Sequence, residues 1–285
     1  MILYWKPVAE NIKNKLSDFF SNKSYSNTYI AILLLSDDPA SKTYVDMKKN
    51  FWKEIWIDVL VYDEDKSQIN IDSTDNIVYN IKAMNEDPYC IGIVVQLPLN
   101  NTLEKDKAKI LSTISPQKDI DWLWGVNFGL SSIWLNDFVP ATPKAVINLL
   151  NYYGLDDFEW KKVTILWQSN LVWKPLAMDL LKKWAEVFSF NHMGSFEDIK
   201  LFSKNSDYII SATGKIHLVD EKFLRNDKSQ ILIDIWWAKE NWKVRWDVNF
   251  DLLKDKVKAI TPVPWWVWPV TVASLFENCY YLNNN

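Results

Sequence analysis

Segments with a helical pattern alternate with short apolar runs along almost the whole chain, and this alternation restricts the possible folds more than any other feature. Residues 7–20 carry apolar side chains at helical spacing, and residues 29–35 (YIAILLL) form an apolar run of strand length. The same order continues with helices predicted at about 41–55 and 72–85 and strands at 57–62 and 90–95. Repeated strand and helix units favour a mainly parallel sheet with helices on its faces, so the first half predicts an α/β fold.

A second alternating set follows from about residue 143. A helix at 143–153 leads to a strand at 161–166, a loop at 167–173, a helix at 174–184 and a strand at 185–190. The order strand, loop, helix, strand is typical of a dinucleotide-binding unit. The remaining predicted elements are strands at 208–211, 231–235 and 257–260 and a final helix over about 269–281.

The segment 115–143 separates the two sets. It is rich in Pro, Asp, Asn and Gly and has no sustained period, which is typical of a connecting or site-forming region. We therefore predict two α/β domains. The first covers 1–142, and the second is a Rossmann-type domain over 143–268.

Charge and composition exclude several classes of function. The chain has 285 residues and a formal net charge of −4, with no run of five or more basic residues, so neither a nucleic acid nor an anionic membrane surface is an expected partner. No apolar stretch reaches the roughly 18 residues of a membrane span, and we expect a cytoplasmic protein. With two histidines and two widely separated cysteines, a multi-histidine metal centre is not expected and no metal is predicted.

Two polar side chains lie four residues apart in the segment DDPASKTYVDMKK (37–49). Tyr44 and Lys48 would share one face of a helix, where a ring and an ammonium group could line the same site. The alternative is a partly buried ring beside a solvated amine.

Two further segments carry candidate polar groups. VVQLPLN (94–100) places Gln96 at the carboxyl end of a buried strand, where sites in α/β folds lie, although a strand that ends at a proline turn would look the same. PQKDIDWLWGVN (116–127) offers Asp121 as a candidate carboxylate, whereas Asp119 fits a loop cap equally well.

The most specific segment is TPVPWWVWPVT (261–271). Together with the three segments above, it resembles the bifunctional methylenetetrahydrofolate dehydrogenase/cyclohydrolase family, which has NPAS with Y-x-x-x-K, P-x-K-D-V-D-G-x-x-x-x-N and TPVPGGVGPMT at these places. The loop WQSNLVWKP (167–175) is similar to the family's G-x-S-x-x-V-G-x-P. Nearly the whole chain takes part in the resemblance.

The resemblance implies that a C-terminal helix at 269–285 completes the first domain and that two successive reactions take place in a cleft between the two domains. A hydride passes from 5,10-methylenetetrahydrofolate to a nicotinamide, and water then opens the resulting methenyl cation to 10-formyltetrahydrofolate. It implies that Lys48 handles the proton of the water step, that Gln96 holds Lys48, that Asp121 fixes the pterin and that Tyr44 stacks on the substrate. The other implied substrate-binding residues are Val95, Leu97, Pro264, Trp265 and Trp266. The implied cofactor-binding residues are Trp167, Gln168, Ser169, Trp173, His192 and Trp237.

The implied partners are tetrahydrofolate derivatives and a second copy of the chain, in a homodimer that supplies one-carbon units for purine biosynthesis. The family favours NADP as cofactor. However, Gln168 stands where many relatives have an arginine that would pair with the 2′-phosphate, so NAD remains an alternative on chemical grounds. The resemblance is also compatible with a dehydrogenase that has lost hydrolysis and with a binding module without catalysis.

Tryptophan stands at most places where this family has glycine. The chain has six glycines and 17 tryptophans, whereas glycine normally makes up roughly 7% of a protein. Thirteen tryptophans fall on family glycine places: Trp5, Trp56, Trp122, Trp160, Trp167, Trp173, Trp184, Trp236, Trp242, Trp246, Trp265, Trp266 and Trp268. The other four, in variable or turn-like contexts, are Trp52, Trp124, Trp134 and Trp237.

Our hypothesis is that the gene uses UGA as a glycine codon and that the printed sequence translates it as tryptophan. An indole at Trp167 or Trp173 would fill space that the cofactor needs, and a glycine there would leave it open. The alternative is a divergent protein in which all 17 tryptophans are genuine.

Overall fold

The chain divides into two compact units in a computed structural model that describes residues 1–21, 25, 27–55, 57–63, 71, 73–122, 125–135, 139–166, 173–235, 237–240, 243–262 and 268–284. We call them the three-stranded unit, made of Glu10–Ala141 and Val272–Asn285, and the five-stranded unit, made of Met1–Ala9 and Thr142–Thr271.

The three-stranded unit is built on a parallel sheet with the strand order β2-β1-β3. Its strands are β1 (Tyr29–Leu34), β2 (Asp58–Tyr62) and β3 (Cys90–Gln96). The central strand β1 is buried over almost its whole length, as expected for an apolar strand that is covered by helices on both faces. The helices with all or most of their residues in this unit are α1 (Trp5–Phe20), α2 (Pro39–Lys53), α3 (Thr74–Glu86), α4 (Lys107–Ser112), α5 (Val126–Ser132) and α10 (Trp268–Asn284).

The start of helix α2 is fixed by its sequence. The Asp38 carboxylate accepts a hydrogen bond of 2.8 Å from the backbone N–H of Ser41, and Pro39 occupies the first helical turn, where its missing N–H costs nothing. Because the first residue of α2 is set in this way, so is the face on which each later side chain lies.

The five-stranded unit contains a parallel sheet with the order β10-β7-β6-β4-β5. Its strands are β4 (Lys162–Leu166), β5 (Glu186–Phe190), β6 (Tyr208–Ser211), β7 (Ile231–Asp234) and β10 (Ala259–Ile260). Since β5 and β6 lie on opposite sides of β4, the strand order reverses at β4, and in open α/β sheets such a switch point marks the ligand crevice. The helices with all or most of their residues in this unit are α6 (Ala141–Tyr152), α7 (Trp173–Lys182), α8 (Phe196–Asn205) and α9 (Phe250–Leu253).

Several features of this architecture were not predicted from the sequence, among them the short helices α4, α5 and α9. Helix α8 begins at the Ser195 cap, whose hydroxyl accepts a hydrogen bond from the Asp198 N–H. An antiparallel hairpin joins β8 (Trp237–Glu240) and β9 (Lys243–Trp246). Met1–Ala9 belong to the five-stranded unit, where Ile2 forms a parallel bridge with Ile260.

Within the described residues, no helix combines the length and the apolar character that a membrane crossing requires. The same part of the chain holds no group of three or more His, Cys, Asp or Glu residues placed to bind a metal ion.

Candidate active site

A buried lysine meets an amide at the carboxyl end of β3 in the three-stranded unit. Lys48 Nζ on helix α2 donates a hydrogen bond of 2.9 Å to Gln96 Oε1, and Lys48 is only 9% exposed. The Gln96 Nε2 group donates to the Leu97 carbonyl at 2.8 Å, which turns the amide oxygen towards the lysine. Gln96 at the strand end and Lys48 on the helix face, which the sequence offered as separate candidates, are therefore in contact.

The electrostatics of this cluster favour proton transfer. Burial lowers the pKa of Lys48 from its ordinary value, and the nearby Asp121 carboxylate opposes that shift. Burial also raises the pKa of Asp121, which the Lys48 charge opposes. An ammonium group with a lowered pKa releases its proton more readily near neutral pH than an exposed lysine does, as a general base requires.

Asp121 is held near Lys48 by a segment that docks beside β3. The Ile93 N–H donates to the Lys118 carbonyl at 2.7 Å, and Ile93 and Asp119 form an isolated parallel bridge. Lys118 Nζ is turned away from Asp121, because it donates to the Met84 and Asp87 carbonyls at 2.9 and 2.7 Å.

The other predicted residues of this unit lie on α2 and at the end of β3, and Val95 packs into the core cluster with Leu33 and Leu35. Tyr44 is half-buried and precedes Lys48 by one turn of α2. Val95 is buried in β3, and Leu97 follows it as a half-buried residue before a cis Leu97–Pro98 bond. Sequence reasoning missed Ser41, whose hydroxyl donates to the Asp38 carboxylate at 3.0 Å and lies 3.4 Å from the Leu97 carbonyl at the end of β3. Its place in the PAS segment was the available signal.

The residues predicted to bind the cofactor are only partly described. Trp173 is the first residue of α7 and is 2% exposed. His192 is exposed in the turn after β5, and the backbone of Trp237 begins β8. Trp167, Gln168 and Ser169 lie outside the described residues, as do the substrate-binding candidates Pro264, Trp265 and Trp266.

A buried carboxylate that the sequence did not reveal holds the segment after β6. Asp247 is fully buried and accepts hydrogen bonds from the Ser211 hydroxyl, at 2.7 Å, and from the Thr213 backbone N–H. Because β6 is the neighbour of β4, these bonds fix the chain beside the switch point of the sheet.

The five-stranded unit has a parallel sheet with the switch point of a nucleotide-binding fold, and the sheet of the three-stranded unit presents a buried lysine. Together these features define an α/β enzyme with a dinucleotide-binding domain and a catalytic domain. Residues 3–121 match the model of the tetrahydrofolate dehydrogenase/cyclohydrolase catalytic domain, and residues 140–285 match that of the NAD(P)-binding domain of the same family. The chain belongs to this family. The family and the α/β fold class predicted from the sequence are thereby confirmed.

Individual relatives agree with the family models. The chain is 35% identical over 277 residues to the bifunctional protein FolD of Lactobacillus gasseri, which covers 96% of this chain and 93% of the relative. The crystal structure of the bifunctional FolD methylenetetrahydrofolate dehydrogenase/cyclohydrolase from Campylobacter jejuni is 32% identical and superimposes with a TM-score of 0.88, covering 100% of this chain and 99% of the other. The Trypanosoma brucei enzyme, complexed with NADP cofactor and inhibitor, is 26% identical with a TM-score of 0.87, covering 100% and 97%.

Proposed function

We propose that this chain oxidises 5,10-methylenetetrahydrofolate to the methenyl cation with NADP⁺ and then hydrolyses that cation to 10-formyltetrahydrofolate. The three-stranded unit binds the folate and the five-stranded unit binds the cofactor. The observation that carries the proposal is the hydrogen bond between Lys48 and Gln96 at a strand end of the catalytic domain, because it supplies a desolvated amine where water must be activated.

In the hydrolysis step, Lys48 accepts a proton from the attacking water as a neutral amine. Gln96 keeps Nζ in place through its oxygen, and its own amide is held by the Leu97 carbonyl. Asp121 binds the pterin, and Tyr44 stacks on the substrate from one turn away on α2. Val95 and Leu97 border the same strand end.

The five-stranded unit fits a dinucleotide in its strand and helix order, with α7 beginning soon after β4 and the strand reversal beside it. The loop with Trp167, Gln168 and Ser169, the start of α7 at Trp173, and His192 after β5 would hold the cofactor, with Trp237 on the neighbouring hairpin. Bound NADP⁺ supplies the hydride acceptor, and the residues of the chain align the folate. In the printed sequence the buried Trp173 indole fills space at the helix start, where close approach to a phosphate favours glycine.

Assays of the two reactions test this function. For the protein with glycine at the 17 printed tryptophan positions, we expect NADP⁺-dependent formation of the methenyl compound, with a higher kcat/KM for NADP⁺ than for NAD⁺, and enzymatic hydrolysis of added methenyl compound. Hydride transfer without hydrolysis would indicate a dehydrogenase only, and folate binding without either reaction would indicate a binding module. A higher kcat/KM with NAD⁺ would contradict the cofactor assignment.

We also propose that the enzyme is a cytoplasmic homodimer that supplies one-carbon units for purine biosynthesis. This proposal rests on membership of the family. Light scattering of the purified protein tests the homodimer, and a monomer at micromolar concentration would contradict it.

Glycine in place of tryptophan at the 17 printed positions belongs to the same proposal. Trp122, Trp134, Trp160 and Trp184 have φ values of 54°, 64°, 60° and 62°, in the left-handed region that favours glycine. Such conformations are uncommon for residues with large side chains, so their recurrence at tryptophan supports the recoding hypothesis.

Buried indoles support the same hypothesis. The indole N–H groups of Trp5, Trp52 and Trp246 are buried and have no hydrogen-bond partner among the described residues, which costs free energy. The ring centroids of Trp52 and Phe276 lie 3.3 Å apart, closer than the roughly 4.5–7 Å of favourable aromatic pairs. The codons of the gene, together with the intact mass of the protein from its native source, decide the question. TGG codons and a mass with 17 tryptophans would reject the hypothesis.

Replacing Gln96 with glutamate should shift the hydrolysis to higher pH. A carboxylate in place of the amide oxygen, 2.9 Å from Nζ, stabilises the protonated lysine and raises the pKa of Lys48. Less neutral amine is then present at pH 7, and the rising limb of kcat against pH should move upwards by about one to three pH units. The matched variant Gln96→Met removes the acceptor without adding charge and should move the limb downwards. An unshifted profile in Gln96→Glu would argue against Lys48 as the base.

A further inference from the structure

A second carboxyl group lies beside Asp121 and has no role in the reactions described so far. Asp119 is 7% exposed, and its Oδ1 accepts a hydrogen bond of 3.0 Å from the Trp122 N–H. The Asn127 side chain also hydrogen-bonds Asp119. Asn127 is itself buried and anchored, since its Nδ2 donates to the Pro116 carbonyl at 2.7 Å. Asp119 is therefore held rigidly next to the catalytic cluster.

The charges of the cluster do not balance when every group is ionised. Lys48 carries one positive charge, whereas Asp119 and Asp121 would carry two negative charges. Lys118 does not compensate, because its Nζ binds the Met84 and Asp87 carbonyls. A net negative charge in a buried site is unfavourable, and one retained proton removes it.

The retained proton resides on Asp119. Burial, and in second place the negative charge of Asp121, raise the pKa of Asp119 to about 7, while hydrogen bonds from Trp122 and Asn127 oppose the shift. Below that pH, and without substrate, Lys48, Asp119 and Asp121 together carry no net charge, because Asp119 is protonated.

We propose that Asp119 acts through Asp121 as a charge-balancing residue that releases its proton to solvent when the methenyl cation binds. The inference rests on the proposed function, because the cation links the two reactions. The O–H bond of Asp119 breaks, the proton leaves to solvent, and the substrate charge replaces it. When the cation binds, the charges of the two carboxylates thus balance those of the protonated Lys48 and the substrate, and Lys48 then loses its own proton before it acts as the base. The uncharged methylene compound causes no such release.

The proposal predicts how affinity depends on pH. A group that loses its proton on binding makes binding tighter as the pH rises through its pKa. The KM for the methenyl compound should therefore fall between pH 6 and pH 8, by about fivefold if the cation lowers the pKa of Asp119 by about one unit. The KM for the methylene compound should stay constant over the same range.

The experiment compares the full-length enzyme with Asp119→Asn, measuring kcat and KM of both reactions between pH 5.5 and 9. We expect the variant to lose the pH dependence of the methenyl KM and to bind the cation about tenfold more weakly at pH 8. The pH profile of kcat for hydrolysis, which depends on Lys48, and the methylene KM should be preserved. A purely structural role of Asp119 would weaken both substrates equally.

A second variant makes the test independent of the folding of the first. Asn127→Ala removes a hydrogen bond that favours the ionised carboxylate, so the midpoint of the methenyl KM profile should move to higher pH. An unmoved midpoint, or a wild-type KM profile in Asp119→Asn, would overturn the inference while leaving the two reactions intact. Absence of both reactions in the enzyme that has glycine at the 17 printed tryptophan positions and no other change would instead reject the proposed function.

Discussion

In the protein with glycine at the 17 printed tryptophan positions, replacement of Lys48 with methionine is expected to abolish the hydrolysis of the methenyl compound. Methionine has a similar length and keeps the apolar packing, but it has no amine to accept the proton of water. Loss of a general base typically slows a reaction by about 10² to 10⁴-fold, and no other described side chain contacts Gln96 in the same way. Hydride transfer depends mainly on alignment and should fall less.

The neighbouring lysine provides a matched control. Lys49 follows Lys48 on α2 and is half-buried on a different face of the helix. Lys49→Met removes the same charge from the same helix and should keep both reactions. The measurement is the loss of methenyl absorbance, corrected for spontaneous hydrolysis, beside the rate of NADP⁺ reduction. Hydrolysis retained by Lys48→Met would refute the role of this lysine.

Glycine at three exposed tryptophan positions is expected to stabilise the protein. Trp134, Trp160 and Trp184 combine left-handed backbone conformations with exposed fractions of 53%, 71% and 67%, so more than half of each residue's surface is already in water. Relief of the steric cost of Cβ at positive φ should contribute about 1 kcal/mol at each position, or roughly 3 kcal/mol together. Since a domain of ordinary stability unfolds at a cost of about 5–15 kcal/mol, the effect is large.

Urea unfolding of the chain with all 17 tryptophans and of the triple variant Trp134→Gly, Trp160→Gly, Trp184→Gly measures the difference in the free energy of unfolding. Tyr79→Gly is the control, because Tyr79 is 72% exposed within helix α3, where glycine should destabilise by about 1 kcal/mol. A triple variant less stable than the printed chain would contradict the strain argument. A chain that does not fold with 17 tryptophans but folds with glycine at all 17 positions would also support the strain argument.

The elements that the sequence predicted well are those with strong local patterns. The apolar runs of β1 and β3 are buried, and a buried strand needs few signals beyond composition and length. Lys48 and Gln96 were each placed by a local motif, on a helix face and at a strand end. Lys48 meets Gln96 because β3 pairs with β1 in the parallel sheet, and α2 is the helix that follows β1 in the chain.

Features that depend on distant partners could not be predicted. The attachment of Met1–Ala9 to β10 joins residues some 250 positions apart, and no local pattern encodes it. Asp119 fitted an ordinary loop cap in the sequence, and only its burial beside Asp121 gives it an unusual proton affinity. Asp247 likewise gained its hydrogen-bonding role from the return of the chain to the end of β6.

The cap of helix α2 fixes the position of Lys48 in the active site. Asp38 sets the residue at which the helix begins, and Lys48 follows ten positions later, roughly 15 Å along the axis. One residue inserted between them would turn the lysine by about 100° away from Gln96, whereas a substitution at an exposed position would leave it in place. The spacing between cap and lysine should therefore tolerate changes of residue type far better than changes of length.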